Sequence, residues 1–162
     1  MPRYSMTWDN IASGAVADTY RTVAALIVPD TAGNRFRLLS LAVGFSDDSP
    51  VDLHAGVMIN RTDGTANGTA GSSITGANMP KKDPDSVDSI ITGGLNYSGG
   101  EPTEYEDEEI WGIGLYGKSG FIKEWSELDA PIVTQDLVLG VLVCPRTAAA
   151  VTTTGSMEFE VF

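Results

Sequence analysis

The stretch NRFRLLSLAVGFSDDSPVDLHAGVMINR, residues 34–61, decides the fold class. Apolar side chains recur at every second position through Phe36 and Leu38, then through Leu39, Leu41, Val43 and Phe45. A second series runs through Val51, Leu53, Ala55, Val57 and Ile59. Period two puts successive side chains on opposite faces, which is the signature of strands. Between the series, Asp and Ser side chains of Ser46–Pro50 can bond to nearby backbone and Pro50 fixes φ, so a chain reversal is expected there. The two series should then pair as a long antiparallel hairpin. A hairpin leaves its apolar face open, so the flanking segments must supply a second layer.

Working outward, residues 20–28 read as a strand closed by the turn-rich run Pro29–Asn34. Downstream, residues 61–76 form a Thr/Gly loop that ends in a short edge strand near Ser72–Thr75. The pair Pro80 and Pro84 forbids a central strand in that stretch. Further strands are expected near 89–92, 110–116, 121–125, 131–133, 137–143 and 155–162, with a loop from Gly93 to Thr103. No alternation of strand and helix is visible. The expectation is an all-β, antiparallel β-sandwich, jelly-roll-like, with helix under about one-tenth of the chain. Residues 1–18 mix Pro2, Gly14 and polar side chains around Tyr4 and Trp8, and read as a poorly packed N-terminal arm beside a single domain over 19–162.

The chain's 162 residues suit one domain. A formal charge of -12 argues against nucleic acid or an anionic membrane surface as partner, because both would repel it. Acidity also serves plain solubility. No apolar run reaches membrane-spanning length, and Met1–Asn10 has no apolar leader core, so no export is expected. The lone Cys144 sits between Val143 and Pro145 and reads as a buried thiol, with no internal disulfide and no multi-cysteine zinc site.

Gly112-Ile113-Gly114-Leu115-Tyr116-Gly117-Lys118-Ser119 satisfies both G-x-G-x-x-G and G-x-x-x-x-G-K-[ST]. A phosphate loop needs a strand before it and a helix whose N-terminus meets the phosphates. Trp111, Ile113 and Leu115 alternate as a strand would, and Pro131 cuts short any following helix, so a strand with glycines on one face is the competing reading. The carboxylates Glu101, Glu104, Glu106, Asp107, Glu108 and Glu109 could hold calcium, seat a basic partner or simply solvate a strand edge. His54, the chain's one histidine, lies on the polar side of its strand near Asp52. No Ser-His-Asp order is present. No catalytic residue, cofactor or metal is assigned.

Taken together, the alternating stretch Arg35–Arg61, the Thr/Gly tract 64–75, the segment Met79-Pro80-Lys81-Lys82-Asp83-Pro84, the Gly120-Phe121 strand start and the terminal Ser156–Glu160 resemble small virion proteins of tailed bacteriophages. The likeness is to jelly-roll head decoration, or cement, proteins, and it covers the chain from about Thr19. The resemblance implies a non-enzymatic structural protein made in the host cytoplasm and placed on the outer capsid surface. There it would be a homotrimer bridging major capsid protein subunits. The acidic tract and the phosphate-loop match lie outside that pattern. Related layouts occur in phage fibre and tail proteins, so a phage fibre or carbohydrate-binding β-sandwich module forms the alternative, with a P-loop nucleotide-binding protein behind it. Candidate partner-binding residues are Arg3, Tyr4 and Trp8 in the arm, and Glu104, Glu106, Asp107, Glu108 and Glu109 in the acidic tract.

Overall fold

A computed structural model describes residues 1–30, 33–45, 52–60, 68–97, 100–101, 110–116 and 119–162. Their strands are β1 (Arg3–Ala12), β2 (Arg21–Ile27), β3 (Arg35–Phe45), β4 (Asp52–Asn60), β5 (Ser72–Ile74) and β6 (Thr92–Leu95). Then come β7 (Trp111–Tyr116), β8 (Phe121–Glu124), β9 (Ile132–Thr134), β10 (Val138–Pro145) and β11 (Thr152–Val161). Among the described residues helix is limited to one short turn, Gly76–Asn78, within the expected tenth. Two antiparallel sheets pack face to face, as the alternation requires. In the five-stranded sheet the order is β1-β11-β3, with β8 and β9 both paired to the remaining side of β3. The six-stranded sheet runs β5-β6-β2-β10-β4-β7.

The expected hairpin is not there. β3 pairs with β11, β8 and β9, whereas β4 pairs with β10 and β7, so the two alternating series lie in different sheets. Alternation fixes which side chains of a strand face the core but does not name its neighbour. Both series bury their apolar sets by facing each other across the sandwich, with Phe36, Leu38, Leu41 and Val43 in one cluster with Leu53, Ala55 and Val57. The Ser46–Pro50 reversal lies outside the described residues. The doublet Leu38-Leu39 has a clear consequence: Glu158 pairs with Ser40 and Phe159 with Leu38, so Leu39 is an extra residue in a β-bulge. The bulge moves the core face from even to odd positions without breaking it.

The N-terminal arm is also corrected. Residues 3–12 form β1, paired with β11 from Arg3↔Glu160 to Ala12↔Thr152. Tyr4, Met6 and Trp8 stand at every second position and are 1%, 1% and 3% exposed. Burying three such side chains contributes about 1.5 to 3 kcal/mol each, which outweighs the unpromising composition of the segment. Tyr4 stacks on Phe159 at 5.7 Å and its hydroxyl donates to the Val87 carbonyl at 2.9 Å. The outer edge of β1 is covered in turn by residues 80–82, where Ser5 N–H donates to the Pro80 carbonyl and Lys82 N–H to that of Arg3, both at 2.9 Å.

The expected loop from Gly93 begins as strand instead, because β6 includes Gly93 and Gly94 and pairs with both β2 and β5. A Cβ on Gly93 would lie 2.3 Å from Met6 Sδ. Glycine here lets a side chain from the opposite sheet approach the backbone, which is one of the few reasons for glycine inside a strand.

Candidate interaction surface

The outer faces of the two sheets differ. All eight residues of β10 are buried, on both sides of the strand. At the Val138 end the outer side is covered by the Tyr97 ring, which packs on Ala25 and Val138 with Ala70 and Ile27 beside them. Nearby, the Glu101 carboxylate accepts the Thr22 N–H at 2.7 Å and meets Arg21 at 3.1 Å. Burial lifts the Glu101 carboxyl above the ordinary range despite Thr22 and Arg21, which both pull it down. The outer face of the five-stranded sheet has no such cover among the described residues.

On that face the side chains in antiphase to the core come together. Glu160, 4% exposed, is held by two arginines: Arg37 Nε donates to Oε2 at 2.7 Å and Arg3 Nε lies 3.4 Å from Oε1. Arg37 Nη2 also contacts Oε2. Glu127 spans the same two guanidiniums, 3.7 Å from each. Burial pushes the Glu160 carboxyl up, but the hydrogen bonds and charges of Arg37 and Arg3 outweigh it and hold the group below its usual range. Lys82 pairs with Glu158 at 2.7 Å, and Arg35 stacks over the Phe162 ring at 4.6 Å. Four of the chain's ten basic residues, Arg3, Arg35, Arg37 and Lys82, thus gather on one face of an acidic protein.

The other half of this side is apolar. Ile122 pairs with Ala42 and Ile132 with Arg37, so both point outward, 74% and 52% exposed. Leu128, in the turn between β8 and β9, is 97% exposed. Ala42, Gly44, Ile122, Thr154 and Ser156 line a broad groove of about 720 Å³. Small outward residues make the groove; β8, running beside them, supplies its wall.

Of the residues singled out in the sequence, Arg3 lies on this face, half-exposed and engaged with Glu160 and Glu127. Tyr4 and Trp8 do not: both are core residues and cannot anchor a partner without unfolding β1. Glu104, Glu106, Asp107, Glu108 and Glu109 lie outside the described residues. Sequence reading missed Glu160, Arg37, Ile122 and Leu128. Their signal is weak, since strand partners from opposite ends of the chain create the charge cluster.

The phosphate-loop match resolves into β7 with Gly112 and Gly114 exposed on the outer face, and the next described element is strand β8 rather than a helix. Gly117 and Lys118 lie outside the described residues, and among the described ones no helix N-terminus is offered to a phosphate there. Trp111 instead packs against Phe121 at 5.1 Å and Trp125 at 6.3 Å, under Lys123, closing the side of the sandwich between β7 and β8. His54 is half-buried on β4, edge-on to the Tyr20 ring at 6.0 Å. Its ladder partner on β10 is Cys144, a juxtaposition invisible in sequence. Burial raises the Cys144 thiol, with Asp18 adding to the rise and Arg146 opposing it, so the sulfur is held as the unreactive thiol. Among the described residues no three His, Cys, Asp or Glu side chains are grouped to hold a metal ion. No protein-family model matches the chain, and no curated protein is similar enough in sequence to count as a relative.

Proposed function

We propose that the chain is a structural virion protein, a decoration or cement protein of a tailed bacteriophage. It binds the outer capsid surface as a homotrimer and bridges major capsid protein subunits, on a sandwich of jelly-roll type. The sequence resemblance supplies the family. The observation that carries the reading is the outer face of the five-stranded sheet, where Ile122, Leu128 and Ile132 stand in water beside the Arg3–Glu160–Arg37 cluster. An exposed apolar patch rimmed by ordered charge suits a broad protein contact better than a small molecule, which prefers a cleft that buries it.

The test uses shells of the parent phage assembled without this protein. Added protein is expected to saturate them and to raise the temperature at which they rupture, while the double variant Ile122→Glu/Leu128→Glu loses occupancy. Absence of binding, or full occupancy by the variant, overturns the reading. A second reading, a fibre or carbohydrate-binding module, draws on the half-buried Trp111 and Trp125 under Lys123. Retention on a glycan array that Trp125→Ala abolishes would favour it.

A further inference from the structure

β7 ends the six-stranded sheet and, among the described residues, pairs with β4 alone, from Asp52↔Tyr116 to Val57↔Trp111. Successive residues of a strand send their N–H and C=O groups to alternate sides, so half of those in β7 point away from β4. The other described edges are each managed. Residues 80–82 cover β1, and β5 is three residues long. On the far side of β3 the edge is divided between two short strands, and β8 turns the charged Lys123 inward over Trp111 and Trp125. These are the usual devices against edge-to-edge pairing.

Among the described residues β7 has none of them. Its sequence, WGIGLY, contains no charge and no proline. Gly112 and Gly114 face outward and are exposed, and a Cβ on Gly114 would meet nothing within 4 Å. We propose that β7 is a self-pairing edge: two copies join antiparallel along Trp111–Tyr116, making one continuous sheet across both. Direction follows from the sandwich itself, because a continuous sheet must keep the core faces of both copies on the same side. A two-fold axis normal to the sheet does so and pairs the two edges antiparallel, whereas parallel pairing needs an axis along the strand, which turns one copy's core face to the other side. The seam is two-fold, so it joins copies, or threefold assemblies of them, in pairs. It does not depend on the capsid reading. A six-residue seam is small beside a standard interface, so association is weak and concentration-dependent.

Sedimentation of the purified chain over about a hundredfold dilution series, with amide exchange at both ends of the series, tests this without any shells. The expected result is a mass that doubles with concentration while the β7 amides gain protection. The double variant Gly112→Glu/Gly114→Glu should associate at least about tenfold more weakly, since like charges then meet across the seam. Gly112→Thr/Gly114→Thr, which adds bulk without charge, should still pair. Should the glutamate variant misfold, Gly114→Cys takes its place, with mild oxidation expected to cross-link it into dimers and Thr7→Cys, on the other sheet, expected to stay uncross-linked. A mass that never doubles, β7 protection that ignores concentration, a glutamate variant that folds and pairs as well as the parent, or no cross-link at Gly114→Cys overturns the proposal.

Discussion

Trp8 Nε1 donates to Thr153 Oγ1 at 3.3 Å inside the core, and the Thr153 hydroxyl donates onward to the Ile11 carbonyl at 2.9 Å. The relay spans the point where the β1–β11 register shifts between Trp8 and Ile11 and where Asn10 takes a φ of 56°. The Thr153 hydroxyl therefore accepts from the indole and donates to the Ile11 carbonyl beside the irregularity.

Trp8→Ala should cost about 3 to 5 kcal/mol, the usual range for truncating a buried aromatic, read as a lowered midpoint in denaturant. Deleting residues 1–10 should do worse, because it strips most of a strand from the sheet and bares an edge of β11. Loss of near-ultraviolet circular dichroism in the truncated chain is the expected result. A truncated chain with native stability would mean that β1 is not part of the cooperative unit.

Gly155 lies opposite Trp8 in the ladder, and a Cβ there would come 2.3 Å from Trp8 Cζ2 and 2.5 Å from the Ala42 carbonyl oxygen. Because one of the two obstacles is backbone, repacking the indole alone cannot relieve the clash. Gly155→Ala should destabilise by about 1 to 3 kcal/mol, the cost of overpacking. Thermal unfolding of the variant checks it.

How far the sequence could be read follows from what each signal encodes. Alternation gave strand identity and core face correctly for β3, β4 and β7, including the phase change that becomes the Leu39 bulge. It could not give pairing, because Leu41 and Val57 bury equally well as hairpin neighbours or across a sandwich. Tyr4, Met6 and Trp8 carried the same alternation in a segment whose Pro2 and Gly14 suggested disorder, and there burial prevailed over composition. The charge cluster was illegible for another reason: Arg3 and Glu160 are 157 residues apart, and only the β1–β11 ladder brings them together.

That cluster makes stability depend on acid. The folded Glu160 carboxyl sits below its ordinary range, so its contribution is present at neutral pH and is lost as pH falls through the folded value. Glu160→Gln leaves Arg37 without its main partner and should cost about 3 kcal/mol at neutral pH. Measured against pH, the gap between the two proteins should close on strong acidification, when the parent's carboxyl is protonated as well. A gap that stays constant down to acid would assign the loss to packing rather than charge.

Cys144 offers a kinetic test of the sandwich. The thiol is fully buried and burial raises its pKa, so both access and thiolate are denied to a reagent. Labelling by a thiol-specific reagent at mildly alkaline pH should proceed no faster than the protein opens, and should become immediate in denaturant. Rapid labelling of the native protein would show that the Cys144 end of β10 opens in solution.

Tyr97 provides the sharpest energetic prediction, because its hydroxyl is buried with no hydrogen-bond partner among the described residues. Burial, and secondarily the nearby Glu101 charge, push its pKa from 10.0 up to about 12. An unpaired buried hydroxyl costs free energy, so Tyr97→Phe, which keeps the ring on Ala25 and Val138, should stabilise the fold by about 1 kcal/mol. The sign with pH follows from the raised value. The folded state holds this proton more tightly than the unfolded chain, so the associated stability is intact below the ordinary tyrosine pKa and is lost as pH rises toward the folded one. The parent should therefore weaken in strong alkali more steeply than Tyr97→Phe, and the variant should lack the latest-titrating component in an ultraviolet titration of tyrosinate. If Tyr97→Phe is instead destabilised, the hydroxyl has a partner in solution, and an ordered water between Tyr97 and Glu101 is the first place to look for it.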